Sequence, residues 1–257
     1  MQIPPAIPRA ALVTGAARRI GRAIALGLAE DGYDIAVHYG ASRDDAEEAV
    51  AAIAKTGRRA KAVSADLADE QATHGLIAAA GAALGPVTCL VNNASVFERD
   101  EALGVTRASW DAHLETNLRA PFVLMQEFAR HLPEAASGVV VNILDERVWN
   151  LTPHFVSYTL SKAALWTLTQ TMALALAPRI RVNAVGPGPT LPSPRQSSEQ
   201  FARQSASVPL RRGASPEEIA ACVRFVVNAA AMTGQMIALD GGQHLGWAQP
   251  GAGPPAE

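Results

Sequence analysis

The chain has 257 residues, 49% of them hydrophobic and 18% charged, with a formal net charge of −2. That is enough for one α/β domain with an ample core, and the near-neutral balance gives no electrostatic footing for nucleic acid or an anionic membrane. Cys89 and Cys222 are too few and too far apart for a zinc motif or a disulfide framework, no metal site is expected, and no apolar run approaches the ~18 residues of a membrane span. Residues 1–8 hold three prolines and no charge, unlike a signal peptide, so a cytoplasmic protein with reduced thiols is expected.

Strand-like and helix-like patterns alternate along the chain. Residues 10–14 read as a short apolar strand and 20–30 as a helix, with Ile20, Ile24 and Leu28 on one face. Residues 33–38 are the second strand, 44–55 a helix rich in alanine and glutamate, 60–64 the third strand and 70–84 the next helix. A continuous apolar strand, 87–92, ends in asparagine; a long helix follows over 109–132 and a buried strand over 139–144. Residues 157–177 are a helix, 181–185 a strand, 216–228 a helix and 236–239 the last strand. This alternation predicts an α/β fold, one doubly wound domain over 1–257, with a parallel sheet of about seven strands and helices on both faces. Residues 186–207 carry prolines at 187, 189, 192 and 194 and read as a substrate loop. The ends, about 1–8 and 248–257, are expected to be flexible.

The first strand runs into Thr14-Gly15-Ala16-Ala17-Arg18-Arg19-Ile20-Gly21, which opens the first helix. Glycines there let a backbone approach a pyrophosphate, and the helix start attracts its charge. A plain strand-to-helix turn is the alternative. The second strand ends in His38-Tyr39, expected cofactor contacts, with His38 either a phosphate ligand or equally a partly buried strand histidine; it lacks the acid that usually grips an NAD ribose, whereas Asp34 stands at its start. Arg18, Arg19, Ser42 and Arg43 lie nearby, and guanidinium and hydroxyl groups suit a 2′-phosphate, so NADP(H) is the expected cofactor unless the arginines are merely solvated. Asp66-Leu67 and Asn93-Ala94-Ser95 follow the third and fourth strands on the same sheet edge. Each alone could be a turn; together they argue for one site.

Tyr158 and Lys162 stand four apart on a helix and therefore point the same way. The ammonium can lower the phenol's pKa and ready it for proton exchange. Asp145 precedes Tyr158 by thirteen residues and is either a third member of a coupled group or only a turn cap.

These residues resemble the short-chain dehydrogenase/reductase family from about residue 9 to 242: the 14–21 loop, Asp66-Leu67, Asn92-Asn93-Ala94, Asn117, Tyr158 with Lys162, and Pro187-Gly188 occur in the family's order. The resemblance implies a Rossmann domain in which Asp66 touches adenine and Asn93 lies by the ribose and pyrophosphate. It also implies that Lys162 binds the nicotinamide ribose, Asn117 holds water behind Lys162, and Pro187 and Gly188 cover the nicotinamide. It implies a homotetramer as well. Three departures, Asp145 for serine, Ser95 for glycine and Arg19 for the middle loop glycine, are similar to the pteridine reductase and dihydromonapterin reductase branch, as are His38-Tyr39 and Phe97. In that branch Arg19, Ser95, Phe97, Asp145 and Tyr158 would meet a pterin.

The first functional expectation is therefore NADPH-dependent reduction of a C=N bond in a pterin, with a dihydropterin, dihydromonapterin or dihydrofolate-like substrate. The alternatives are a short-chain carbonyl reductase or alcohol dehydrogenase on a non-pterin substrate, and a non-catalytic NADP-binding regulatory protein. Arg147, Trp149 and Phe201 read as local packing or solvated side chains near the pocket, and Trp247 as interface packing or a cover for a neighbouring copy's pocket.

Overall fold

The computed structural model describes residues 9–193 and 195–246. At its centre, β1 (Ala10–Val13) pairs in parallel with β2 (Asp34–Tyr39) on one side and β4 (Val87–Asn92) on the other. With β3 (Ala60–Ser64), β5 (Gly138–Ile143), β6 (Ile180–Pro187) and β7 (Met236–Leu239), the sheet has seven strands in the order β3-β2-β1-β4-β5-β6-β7. Every pairing is parallel. The single Rossmann-like domain expected from the alternation is thus observed.

Alternation along each strand feeds two cores. Ala11 and Val13 face one side and pack with Ile24 and Leu28 of α1 (Arg19–Glu30), Ile53 of α2 (Arg43–Ala54) and Ile219 and Val223 of α9 (Pro216–Asn228). Ala10 and Leu12 face the other, with Ile77 of α4 (Leu76–Leu84), Phe128 of α6 (Ala120–His131) and Met172 of α7 (Val156–Ala175). Strand order reverses between β1 and β4, and a crevice at their carboxyl ends is where such sheets hold ligands.

Three boundaries differ from expectation. The helix over 70–84 is two, α3 (Glu70–His74) and α4, meeting at Gly75. The helix over 109–132 is α5 (Arg107–Leu114), a π turn at Glu115–Arg119 and α6, whose first turn holds Pro121. The substrate loop carries a helix of its own, α8 (Ser198–Ser207), begun by a capping box between Ser197 and Gln200. The ends about 1–8 and 248–257, and Trp247, lie outside the described residues. No helix of the described residues is long and apolar enough to cross a membrane.

Candidate active site

Asn93 stitches the end of β4 to the loop after β1. Its amide and that of Ala94 donate to Thr14 Oγ1, both at 2.9 Å, and its Nδ2 donates to the Thr14 carbonyl at 2.8 Å. Gly15 has φ of 62°, and a Cβ on Gly21 would lie 2.2 Å from the Gly15 carbonyl oxygen, so no side chain fits where the loop crosses the helix. Arg18 caps α1 without a side-chain hydrogen bond, leaving the first-turn amides no side-chain acceptor. The cradle thus fits a dinucleotide pyrophosphate. Ser42 and Arg43 follow the carboxyl end of β2, and Arg18, at the start of α1, lies 3.5 Å from Asp45 of α2. Asp34, at the opposite end of the strand, is held by Arg58 and Arg59 at 2.7 Å each. Arg19 adopts a left-handed φ of 54° and donates from Nη2 to the carbonyl of Pro192 at 3.1 Å. Ile20, Asn93, Ser95, Pro187 and Gly188 line the same cavity, of about 480 Å³, and Asp66 is exposed at the carboxyl end of β3.

One expected cofactor contact is corrected. His38 is buried beneath the loop: its Nδ1 accepts from Gly15 N–H at 3.1 Å, leaving Nε2–H to donate to the Ala65 carbonyl at 3.1 Å. Burial lowers its pKa to about 4, so it is a neutral support, not a phosphate ligand. Leu67 packs in the second core, and Tyr39 is partly buried against the first.

Asp145 does two things at once. Oδ1 caps a 3₁₀ turn (Glu146–Val148) by accepting from Arg147 N–H at 2.9 Å, and Oδ2 accepts from the Tyr158 hydroxyl at 2.7 Å. Lys162 sits one turn along α7, with Nζ donating to the Ile143 carbonyl at 2.8 Å and lying 5.9 Å from the Tyr158 ring centroid. Burial lowers Lys162 to about 8. Burial and then the Asp145 charge raise Tyr158 well above its ordinary value. The expected lowering of the phenol towards neutrality is not seen, because burial disfavours the phenolate, the hydroxyl meets a carboxylate and the ammonium is bound to a carbonyl.

Asn117 sits in the π turn between α5 and α6. It is buried, donating from Nδ2 to the Val96 carbonyl at 2.9 Å and to Ser161 Oγ at 3.0 Å. Its Oδ1 accepts from Val96 N–H at 2.8 Å and Ser95 Oγ at 3.1 Å. The side chain is therefore used up in holding Ser95, Val96 and Ser161.

A model described as enoyl-(acyl carrier protein) reductase matches residues 15–244. The chain belongs to the short-chain dehydrogenase/reductase family. FolM alternative dihydrofolate reductase 1 from Brucella suis, in complex with NADP, is 48% identical, with a TM-score of 0.91 over 95% of this chain and 98% of that one. The FolM structure from Brucella canis, also with NADP, is 47% identical, with a TM-score of 0.89 over 94% of this chain and 96% of that one. The 3-oxoacyl-[acyl-carrier-protein] reductase FabG of Staphylococcus epidermidis is 34% identical over 92% of this chain and 99% of its own.

Within this short-chain reductase, the structure adds residues that pattern reading passed over. Phe97 stacks on Phe155 with centroids 4.6 Å apart and planes 3° from parallel, and meets Tyr158 edge-on at 4.7 Å. Arg195 of the substrate loop donates from Nη2 to the Phe97 carbonyl at 2.6 Å and pairs with Glu98, closing the loop over the cavity. Arg147 and Phe201 line that cavity, as does Gln243, whereas Trp149 is half exposed beside His244. Behind Tyr158, Glu98 N–H donates to His113 Nε2 at 3.0 Å, so His113 Nδ1–H donates to Ser157 Oγ at 2.7 Å and that hydroxyl donates to Asp100. Asp100 also takes the Phe155 amide on its carbonyl at 2.9 Å, which anchors the start of α7. Residues so distant in sequence carry no shared period. Only Ser197 three residues before Gln200, a capping signature, was there to reveal α8.

Proposed function

We propose that this protein is an NADPH-dependent reductase of a C=N bond in a pterin-type substrate. The observation that carries the reading is the 2.7 Å hydrogen bond from Tyr158 to Asp145 in the cavity wall. When bound, NADPH would be the source of hydride for the carbon. Gly15, Arg18, Arg19, Ile20, Gly21, Ser42, Asp66, Asn93, Ala94, Pro187 and Gly188 would hold it, with Lys162 on the nicotinamide ribose. Tyr158 delivers the proton to the adjacent nitrogen. Its raised pKa keeps the phenol loaded, and the cation of Arg147 offsets the charge left when the proton departs. Asp145 accepts the pterin's amino hydrogens or returns a proton to the phenol, roles open to a carboxylate and poorly served by a serine. Phe97 walls a flat heterocycle, where offset stacking contributes about 0.5–1.5 kcal/mol beyond burial. Ser95 and Arg19 border the same space. Likeness to the two FolM structures supports a dihydropterin or dihydrofolate substrate.

A second reading, reduction of a ketone on an acyl chain, is favoured by the likeness to FabG. Asp145 and Arg19, among several ionisable groups in the wall, speak against an apolar chain. The assay is NADPH oxidation with dihydrobiopterin, dihydromonapterin and dihydrofolate, beside a panel of ketones including a 3-oxoacyl thioester. Turnover of a pterin is expected. Turnover of ketones alone would remove the pterin reading, and tight NADPH binding without turnover of any substrate would indicate a regulatory protein.

A further inference from the structure

Arg147 is only 9% exposed although it lines the cavity. Its guanidinium carbon lies 4.7 Å from the Phe155 ring centroid and 5.3 Å from that of Phe97. Since those rings are stacked on each other, one cation at the flank of the stack lies close to both ring centroids. Phe97 in turn presses edge-on against Tyr158. The main-chain amide of the same residue holds Oδ1 of Asp145. Arg147 thus touches the acid through its backbone and the aromatic wall through its side chain.

We propose that Arg147 is a positioning residue for the reaction: its guanidinium locks the Phe97–Phe155 stack against Tyr158, and its charge offsets the Asp145 carboxylate beside the phenol. This rests on the reading of Tyr158 and Asp145 as the proton-transfer pair. The charged and titratable groups around Tyr158 are Asp145, Glu146 and Arg147 from the turn after β5, Lys162 from α7 and His113 from α5, with Arg19, Glu98 and Arg195 across the cavity. Burial and Asp145 raise the phenol, and Arg147 is the cation that draws it down. Phe155 needs such a clamp, because it holds a left-handed φ of 58° at the start of α7, a conformation that disfavours a bulky side chain.

The test compares Arg147→Leu and Arg147→Lys with the wild type. It uses initial rates with dihydrobiopterin from pH 6 to 12, a range that reaches the phenol's limb above that of Lys162, and NADPH affinity by nicotinamide fluorescence. Arg147→Leu is expected to lose about tenfold or more in kcat/KM, to move the alkaline limb of the profile to higher pH, and to bind NADPH as the wild type does. Arg147→Lys keeps a charge without the planar stack. It is expected to restore the limb while KM stays several-fold raised. An unshifted limb in Arg147→Leu, or a wild-type KM in Arg147→Lys, overturns the proposal. Should Arg147→Leu not fold, shown by loss of NADPH binding, the KM and limb of Arg147→Lys decide it. If the wild type turns over ketones and no pterin, the substrate reading falls separately, and the same limb comparison made with the ketone decides the role of Arg147.

Discussion

Oδ2 of Asp145 accepts the hydroxyl of Tyr158 at 2.7 Å, while its Oδ1 is fixed by the amide of Arg147 at 2.9 Å. A carboxylate with both oxygens committed cannot swing away, so the phenol faces a fixed negative charge. Replacing Asp145 by serine removes that charge and the relay. We expect Asp145→Ser to lose about 10²- to 10⁴-fold in pterin kcat/KM, the usual weight of a positioned acid or base. NADPH affinity stays within about twofold, because Asp145 lies on the substrate side of the proposed site. Parallel turnover and fluorescence titration check this; full retained activity would take Asp145 out of the mechanism.

The fold was legible because parallel strands covered on both faces are short continuous apolar runs, as in β4 and β5, separated by helical periods. The breaks at Gly75 and in the π turn were not legible, since apolar spacing continues across a one-residue irregularity. Tyr158 and Lys162 could be paired from helical spacing alone. His38 could not be placed, because five successive buried residues in β2 leave no polar face to mark its direction. Nor could the Phe97–Phe155 stack or the Arg195 latch, which join residues far apart in sequence through loops of no fixed period.

Lys162 has a folded pKa of about 8, below its ordinary 10.5, because burial disfavours the ammonium. The folded state therefore binds fewer protons than the unfolded chain between those values, and stability attributable to this lysine rises as pH climbs from about 8 towards 10.5. Below about 8 the burial cost is fully present. Lys162→Met escapes that cost, so its unfolding free energy relative to wild type is expected to be greatest at pH 7 and to fall by on the order of 3 kcal/mol by pH 10.5. Urea melts at the two pH values measure it, and a pH-independent difference would show that Lys162 is not buried charged.

His38 carries the same kind of consequence in a lower pH window. Its folded pKa of about 4 lies below the ordinary 6.5, so its contribution to stability is complete above 6.5 and is lost as pH falls towards 4. His38→Phe fills the space but orphans the Gly15 amide and the Ala65 carbonyl, at a cost of about 2–5 kcal/mol at pH 7. That deficit is expected to narrow between pH 6.5 and 4, where the wild type weakens. NADPH binding should loosen in the variant, because the Gly15 turn loses its prop. Unchanged stability at pH 7 would contradict the two-sided support seen beneath the loop.

Arg19 stands with a φ of 54°, a left-handed conformation that costs a non-glycine residue about 1–2 kcal/mol. Something must hold it there, and its Nη2 donates to the carbonyls of Leu191 and Pro192 at 3.4 and 3.1 Å. The residue therefore ties the start of α1 to the substrate loop. Arg19→Gly relieves the strain but frees the unfolded chain by about 0.5–1 kcal/mol, so the melting temperature should hardly move. What should change is the loop: hydrogen exchange over residues 190–193 is expected to accelerate, because the tie to α1 is gone. The NADPH Kd should rise about tenfold if the guanidinium also serves a cofactor phosphate, since charge-assisted hydrogen bonds contribute about 1.5–3 kcal/mol. Faster exchange with an unchanged Kd would make Arg19 a loop tie alone, and unchanged exchange would show that the loop is held from the Arg195 side, through Phe97 and Glu98.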